Sequence, residues 1–176
     1  MGLQVQFTGE DLLRMEGDYE LVRGELVEMT RPGAEHGMIT MNVGSVVRAY
    51  TKSSKSGIVV TESGFYLARN PDTVRGPDVA YYSNQRIPSD RNKYFLQPPE
   101  LAAEVVSPND TSSEVEARVR DFLQAGVEEV WVLYPRTRTV HRYRQGWAEV
   151  LTQDQEIVGV PFLPGFTCAL SEFFED

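Results

Sequence analysis

The apolar positions change period along the chain, and each change marks an element. Tyr19-Glu20-Leu21-Val22, Arg23-Gly24 and Glu25-Leu26-Val27-Glu28-Met29 form two short extended runs around a glycine-containing turn, which predicts a β-hairpin. From residue 36 the spacing becomes helical. His36, Ile39, Thr40, Val43, Val47 and Tyr50 share one face of an expected helix over 36–51. Short strands are expected at 57–61, 65–67 and 78–82, the last after the turn signal Arg75-Gly76-Pro77.

A long polar loop follows at 84–99, with Pro88, Pro98 and Pro99. An apolar strand at 101–106 ends at Ser107-Pro108. The next helix is expected at 113–125, with Ser113 and Glu116 as its capping box and Gly126 as its stop. A buried strand at 130–134 follows, so strand, helix and strand predict a crossover connection. A second hairpin is expected around Gln145-Gly146, and the apolar end from Leu163 to Phe174 should dock on the core. Thr8 is placed to cap a short helix, with Glu10 and Asp11 in its first turn. There are no repeats, and the length of 176 residues suits one domain spanning 1–176.

Composition narrows the class. The single cysteine, Cys168, excludes an internal disulfide and fits a reducing compartment. No window approaches the ~18 apolar residues of a membrane span, and the first residues lack a signal-peptide pattern. A soluble cytoplasmic protein is expected. The net charge of −9 argues against non-specific coating of DNA. It does not exclude a nuclease, since metal-holding carboxylates add negative charge that the metal reverses locally.

The candidate chemistry begins with Glu104, alone among Leu, Ala and Val in its strand. A carboxylate in such company needs a cation or hydrogen bonds. If the strands carrying Asp78 and Glu104 pair, both carboxylates converge on one Mg²⁺, which takes one or two protein carboxylates and keeps several waters. They should then meet at the mouth of one pocket with Arg118 facing it. Arg118 lies at the border of its helix's apolar face, three residues after Val115 and four before Phe122. Each residue also has an ordinary role open to it: Asp78 as a turn residue, Glu104 in a strand-end salt bridge, Arg118 snorkelling. His36 reads as a core histidine at its helix start, and Glu20 as part of a solvated strand face. Arg86, Arg91, Lys93, Tyr94 and Phe95 suit a mobile surface loop, or a strand-binding surface if cations and aromatics act together.

The ordered set Gly76-Pro77-Asp78-Val79, Glu104-Val105-Val106-Ser107-Pro108, Phe122-Leu123-Gln124-Ala125-Gly126-Val127 and Glu129-Val130-Trp131-Val132-Leu133-Tyr134-Pro135 resembles the Uma2 family. These are restriction-endonuclease-like proteins of the PD-(D/E)XK nuclease superfamily. Residues 19–27, the helix opened by His36 and Leu163-Pro164-Gly165-Phe166 resemble it too. The resemblance implies an α/β restriction-endonuclease-like fold, a mixed sheet flanked by helices and extended by hairpins. It implies a Mg²⁺- or Mn²⁺-dependent endonuclease acting on DNA, with Asp78 and Glu104 as metal ligands and His36 and Glu20 as secondary candidates. The superfamily's usual lysine position holds Val106. The family resembles a variant with that lysine moved to the following helix, where this chain has Arg118. Arginine stays charged and cannot act as a base, but it can orient and stabilise. The alternative is a catalytically inactive nuclease-fold protein acting as a homo-oligomeric binding module. A homodimer is expected, through the hairpin edges and the apolar bulk of Trp131, Tyr134, Phe162 and Phe166.

Overall fold

The computed structural model describes residues 6–175. Thr8 caps the short helix α1 (Gly9–Leu12), with Asp11 returning the bond to complete a capping box. The first hairpin pairs β1 (Tyr19–Val22) with β2 (Glu25–Glu28). Its turn puts Arg23 and Gly24 at φ 51° and 80°, the left-handed pair that a two-residue hairpin requires. The helix read from its periodicity is α2 (Ala34–Ser54), longer at both ends than its apolar face. Then come β3 (Gly57–Thr61), β4 (Phe65–Ala68), β5 (Thr73–Arg75), β6 (Val79–Ser83) and β7 (Leu101–Val105). The helix α3 (Ser112–Ala125) leads through Gly126, at φ 102°, to β8 (Glu129–Tyr134). The hairpin β9 (Thr139–Arg144) and β10 (Trp147–Thr152) precedes the short pair β11 (Glu156–Ile157) and β12 (Cys168–Ala169).

Six strands form the main sheet in the order β10-β9-β8-β7-β6-β3. β7 and β8 pair in parallel, as the crossover reading predicts, and the other pairings are antiparallel. A second, antiparallel sheet runs β2-β1-β5-β4. Side chains alternate across the main sheet. Val79, Tyr81, Leu101, Ala103 and Val105 pack with Ile39, Val43 and Val47 of α2. Ala80, Ala102, Val130 and Val132 pack with Val119 and Phe122 of α3. The chain end docks as expected: Leu163, Phe166, Leu170 and Phe173 are buried in the α2-side cluster with Trp131.

Three sequence expectations need correction. The α3 capping box is made by Thr111 and Glu114, not Ser113 and Glu116; the Thr111 side chain accepts from the Glu114 N–H and Glu114 answers the Thr111 N–H. Three hydroxyls stand in a row at 111–113, and the one that leaves the helix in extended backbone (φ −85°, ψ 151°) takes the cap. Loop 84–99 is anchored rather than mobile along its length. Phe95 stacks on Tyr82 at 3.8 Å between ring centres, Tyr94 meets Tyr66 edge-on, and Arg86 pairs with Glu100 and Glu128. Phe95 is thereby a core residue, and the partly buried Tyr94 packs against the cluster of Leu12, Leu21, Tyr66 and Val74. Trp131 and Phe166 are also core residues, so they add nothing to an outer surface. Glu129, quoted above only as part of a motif, is fully buried, bonded by Trp131 Nε1 at 2.6 Å, Arg142 Nε at 2.7 Å and Arg144 Nε at 2.6 Å.

The cap assignment predicts that Thr111→Ala costs about 1 kcal/mol of stability, while Ser113→Ala stays within about 0.5 kcal/mol. Urea denaturation of the two variants checks this, and equal losses would restore the Ser113 box.

Candidate metal and catalytic site

The β6–β7 register decides where the two acids meet. Val79 pairs with Ala103 and Ala80 with Ala102. One step further along the same antiparallel register, Asp78 stands opposite Glu104. The Val105 N–H donates to Asp78 Oδ2 at 2.7 Å and ties the entrance of β6 to the end of β7. Asp78 is therefore more than a turn residue, because its partner lies across the strands.

Glu104 alternates with Ala102 and so faces α3. Arg118 comes down from that helix. Its two terminal amino groups grip Glu20 in a fork, NH1 to Oε2 at 3.1 Å and NH2 to Oε1 at 2.7 Å. Its Nε lies 2.9 Å from Glu104 Oε1. That contact is an ion pair without hydrogen-bond alignment, and it leaves Nε and Oε1 buried with no directed partner. Arg118 is thus no snorkelling residue: its side chain is 18% exposed and joins two acids.

Glu20 corrects the expectation of a solvated strand face. It is 6% exposed, because β1 lies inside the second sheet between β2 and β5. The Gly76 N–H also donates to it at 3.2 Å, and Arg75 lies 3.4 Å away. His36 corrects the expectation of a helix-capping core residue. The cap position is Gly33, and His36 instead aims Nε2 at Asp78 Oδ2, 3.2 Å away. Five elements or their edges, α2, β1, β6, β7 and α3, thus bring His36, Glu20, Asp78, Glu104 and Arg118 together. The sequence missed Arg75, which bridges Glu20 to Asp121 of α3. Its position directly before Gly76-Pro77-Asp78 was the available signal.

The electrostatics follow from the crowding of acids. Burial pushes the Glu104 carboxyl up to about 8; Asp78 and Glu20 push the same way and Arg118 opposes them. Burial disfavours the Arg118 charge, yet Glu104 and Glu20 hold the guanidinium above its ordinary value. The hydrogen bond to Asp78 raises His36 above the usual imidazole value, against its burial. A hard divalent cation suits this donor set, since oxygen ligands converge and Glu104 keeps an oxygen without a directed partner. Among the described residues no group of three or more His, Cys, Asp and Glu is arranged to hold a metal. Arg118 meets Glu104 and Glu20, while Asp78 is met by His36 and the Val105 N–H. A groove of about 290 Å³ lies between α3 and Tyr143 and includes none of the site residues. No described helix is long and apolar enough to cross a membrane.

A family model, Uma2, described as "Putative restriction endonuclease", matches residues 9–171. Among solved structures, the chain is similar to "a putative nuclease belonging to DUF820" from Anabaena variabilis ATCC 29413. The two are 22% identical and superpose with a TM-score of 0.81 over 96% of this chain and 97% of that one, which establishes the fold. No curated protein matches the chain.

The raised groups predict the pH response of the metal-free protein. Glu104 and His36 each bind a proton more tightly folded than unfolded. Their contribution is full below the unfolded values of 4.5 and 6.5 and is lost as pH rises through the folded ones, about 8 for Glu104. The lowered carboxyls of Asp11, Glu114 and Asp154 act only near and below about pH 4. With EDTA present, the urea midpoint should fall between about pH 5 and 8, and Glu104→Gln should flatten most of that fall. An unchanged slope in Glu104→Gln would show that Glu104 ionises normally.

Proposed function

Because the chain belongs to the Uma2 family, we propose that it is a nuclease that hydrolyses DNA phosphodiester bonds with Mg²⁺ or Mn²⁺ held by Asp78 and Glu104. The observation that carries this reading is the juxtaposition of Asp78 and Glu104 across β6 and β7, with an incompletely partnered Glu104 oxygen beside Arg118. When bound, such an ion neutralises phosphate charge and lowers the pKa of water. The chain's own side chains do the rest. The Val105 N–H and His36 hold the Asp78 carboxylate in one orientation. Glu20 holds Arg118, whose fixed charge stabilises the charge that develops on a phosphorus under attack. Because arginine keeps its proton, proton removal falls to solvent or to His36 and not to residue 118. The acidic surface works against tight DNA binding, so substrate contact depends on low ionic strength.

The test is cleavage of plasmid and single-stranded DNA with Mg²⁺ or Mn²⁺ at low salt. Asp78→Ala and Glu104→Ala should abolish cleavage. Arg118→Ala should lose roughly 10²–10³ in rate, the usual effect of removing one transition-state donor. A wild-type protein that binds metal and leaves both DNAs intact would overturn the nuclease reading in favour of an inactive binding module.

The assembly we propose is a homodimer joined along β10, which with β3 is one of the two outer strands of the main sheet. β10 exposes Trp147 and Val150 and carries neither lysine nor proline, the residues that usually guard a free edge. Light scattering at micromolar concentration should give about twice the chain mass of 19.9 kDa, and the single-chain mass would refute it.

A further inference from the structure

The guanidinium of Arg118 serves two carboxylates unequally. Toward Glu20 it presents both terminal amino groups in a fork, 3.1 and 2.7 Å long, the strong bidentate arrangement. Toward Glu104 it presents only Nε, 2.9 Å away and misaligned, so that Nε and Oε1 both stay without a directed hydrogen bond. One side of the group is anchored and the other only leans on its partner. The acid it leans on sits on the apolar face of β7, alternating with Ala102 and paired across the strands with Val132.

Resting on the reading of Asp78 and Glu104 as a metal site, we propose that Arg118 is a resident counter-cation for Glu104, which a divalent metal displaces, while Glu20 is the positioning residue on which the guanidinium stays. Two cations compete for one carboxylate. Whatever Arg118 contributes to Glu104 in the metal-free protein is lost when the metal arrives, and the remaining positive charge nearby repels the ion. By linkage the same coupling works in both directions. The weaker, misaligned contact gives way before the fork does. Arg75 and the Gly76 N–H hold Glu20 from the other side, so the anchor keeps its place as Glu104 changes partner. The released Nε–H edge is then a donor for a phosphate oxygen beside the metal. The arginine thereby holds the site together in the absence of metal and lowers its affinity for metal.

This gives Arg118 substitution effects of opposite sign. A merely structural arginine, once removed, would weaken the fold and metal binding together. The experiment uses the full chain and Mn²⁺ alone, followed by calorimetry and by the electron paramagnetic resonance of free Mn²⁺, with melting in EDTA measured in parallel. Arg118→Met should melt lower in EDTA yet bind Mn²⁺ roughly tenfold more tightly, within the usual range of coupling between sites. Glu20→Gln should bind Mn²⁺ more weakly than wild type, because it frees Arg118 to commit to Glu104; it tests the idea even where Arg118→Met does not fold. Equal or weaker binding by Arg118→Met, or equal or tighter binding by Glu20→Gln, overturns the proposal while leaving the metal site standing. No Mn²⁺ binding by wild type or either variant overturns the metal reading and this inference together.

Discussion

Burying a carboxylate costs several kcal/mol unless cations or hydrogen bonds meet it, and Glu104 carries one onto the apolar face of the central strand β7. Much of the surrounding structure answers that charge. Arg118 descends from α3, is itself too buried to stand alone, and calls for Glu20. Glu20 in turn lies inside the second sheet and draws in Arg75 and the backbone of Gly76. Asp78 adds a third acid at the mouth of the strand pair, met by His36 from α2 and by the Val105 N–H. Removing one member leaves an unmet buried charge on another, so the group stands or falls together.

This network also explains how two sheets and two helices form one site. The crossover from β7 to β8 through α3 lays that helix over the face to which Glu104 points, and Val119 and Phe122 fix its depth against Ala80, Ala102, Val130 and Val132. The Arg75-Gly76-Pro77 turn carries the chain from the second sheet into the first, which sets Asp78 at the start of β6 and aims the Gly76 N–H at Glu20. The acids therefore converge where the sheets are covalently joined. At Glu129 the same problem has a different solution: that carboxylate is enclosed by Trp131, Arg142 and Arg144 with its bonds short and directed, so no role is left for an outside cation.

What could be read from the sequence was what depends on neighbours in the chain. The hairpin turns, the α2 face, the α3–Gly126 stop and the parallel β7–β8 pair are written in period and turn chemistry over a few residues. Glu104 was legible as an acid in apolar company, and the ordered motifs resembling Uma2 brought Asp78 and Arg118 to it. The burial of Glu20 and the partner of His36 were not legible because they are set by residues 98 and 42 positions away, Arg118 and Asp78. Alternation within Tyr19-Glu20-Leu21 cannot reveal that an arginine from another element covers the polar face. The α3 cap was misplaced for a local reason, since Thr111, Ser112 and Ser113 are chemically equivalent candidates and only the backbone at 111 distinguishes them. Loop 84–99 looked free because its composition is polar, whereas its aromatics are committed to Tyr82 and Tyr66.

Arginine at position 118 and glutamate at position 20 are best understood as one feature. A lysine ammonium is a point charge and makes no planar fork, so it could serve Glu104 without any acid at position 20. A guanidinium cannot lose its proton in a protein, and placed on that helix face it carries a full charge that one misaligned carboxylate contact does not satisfy. The fork onto Glu20 supplies the missing partners and fixes the plane of the group, which decides which edge faces Glu104. An arginine here without its glutamate would be a buried donor set in search of acceptors, and the glutamate without its arginine a buried acid facing two others. The arginine is therefore accommodated because a second element, β1, brings an acid to meet it. Such a group holds charge and position and does not exchange protons.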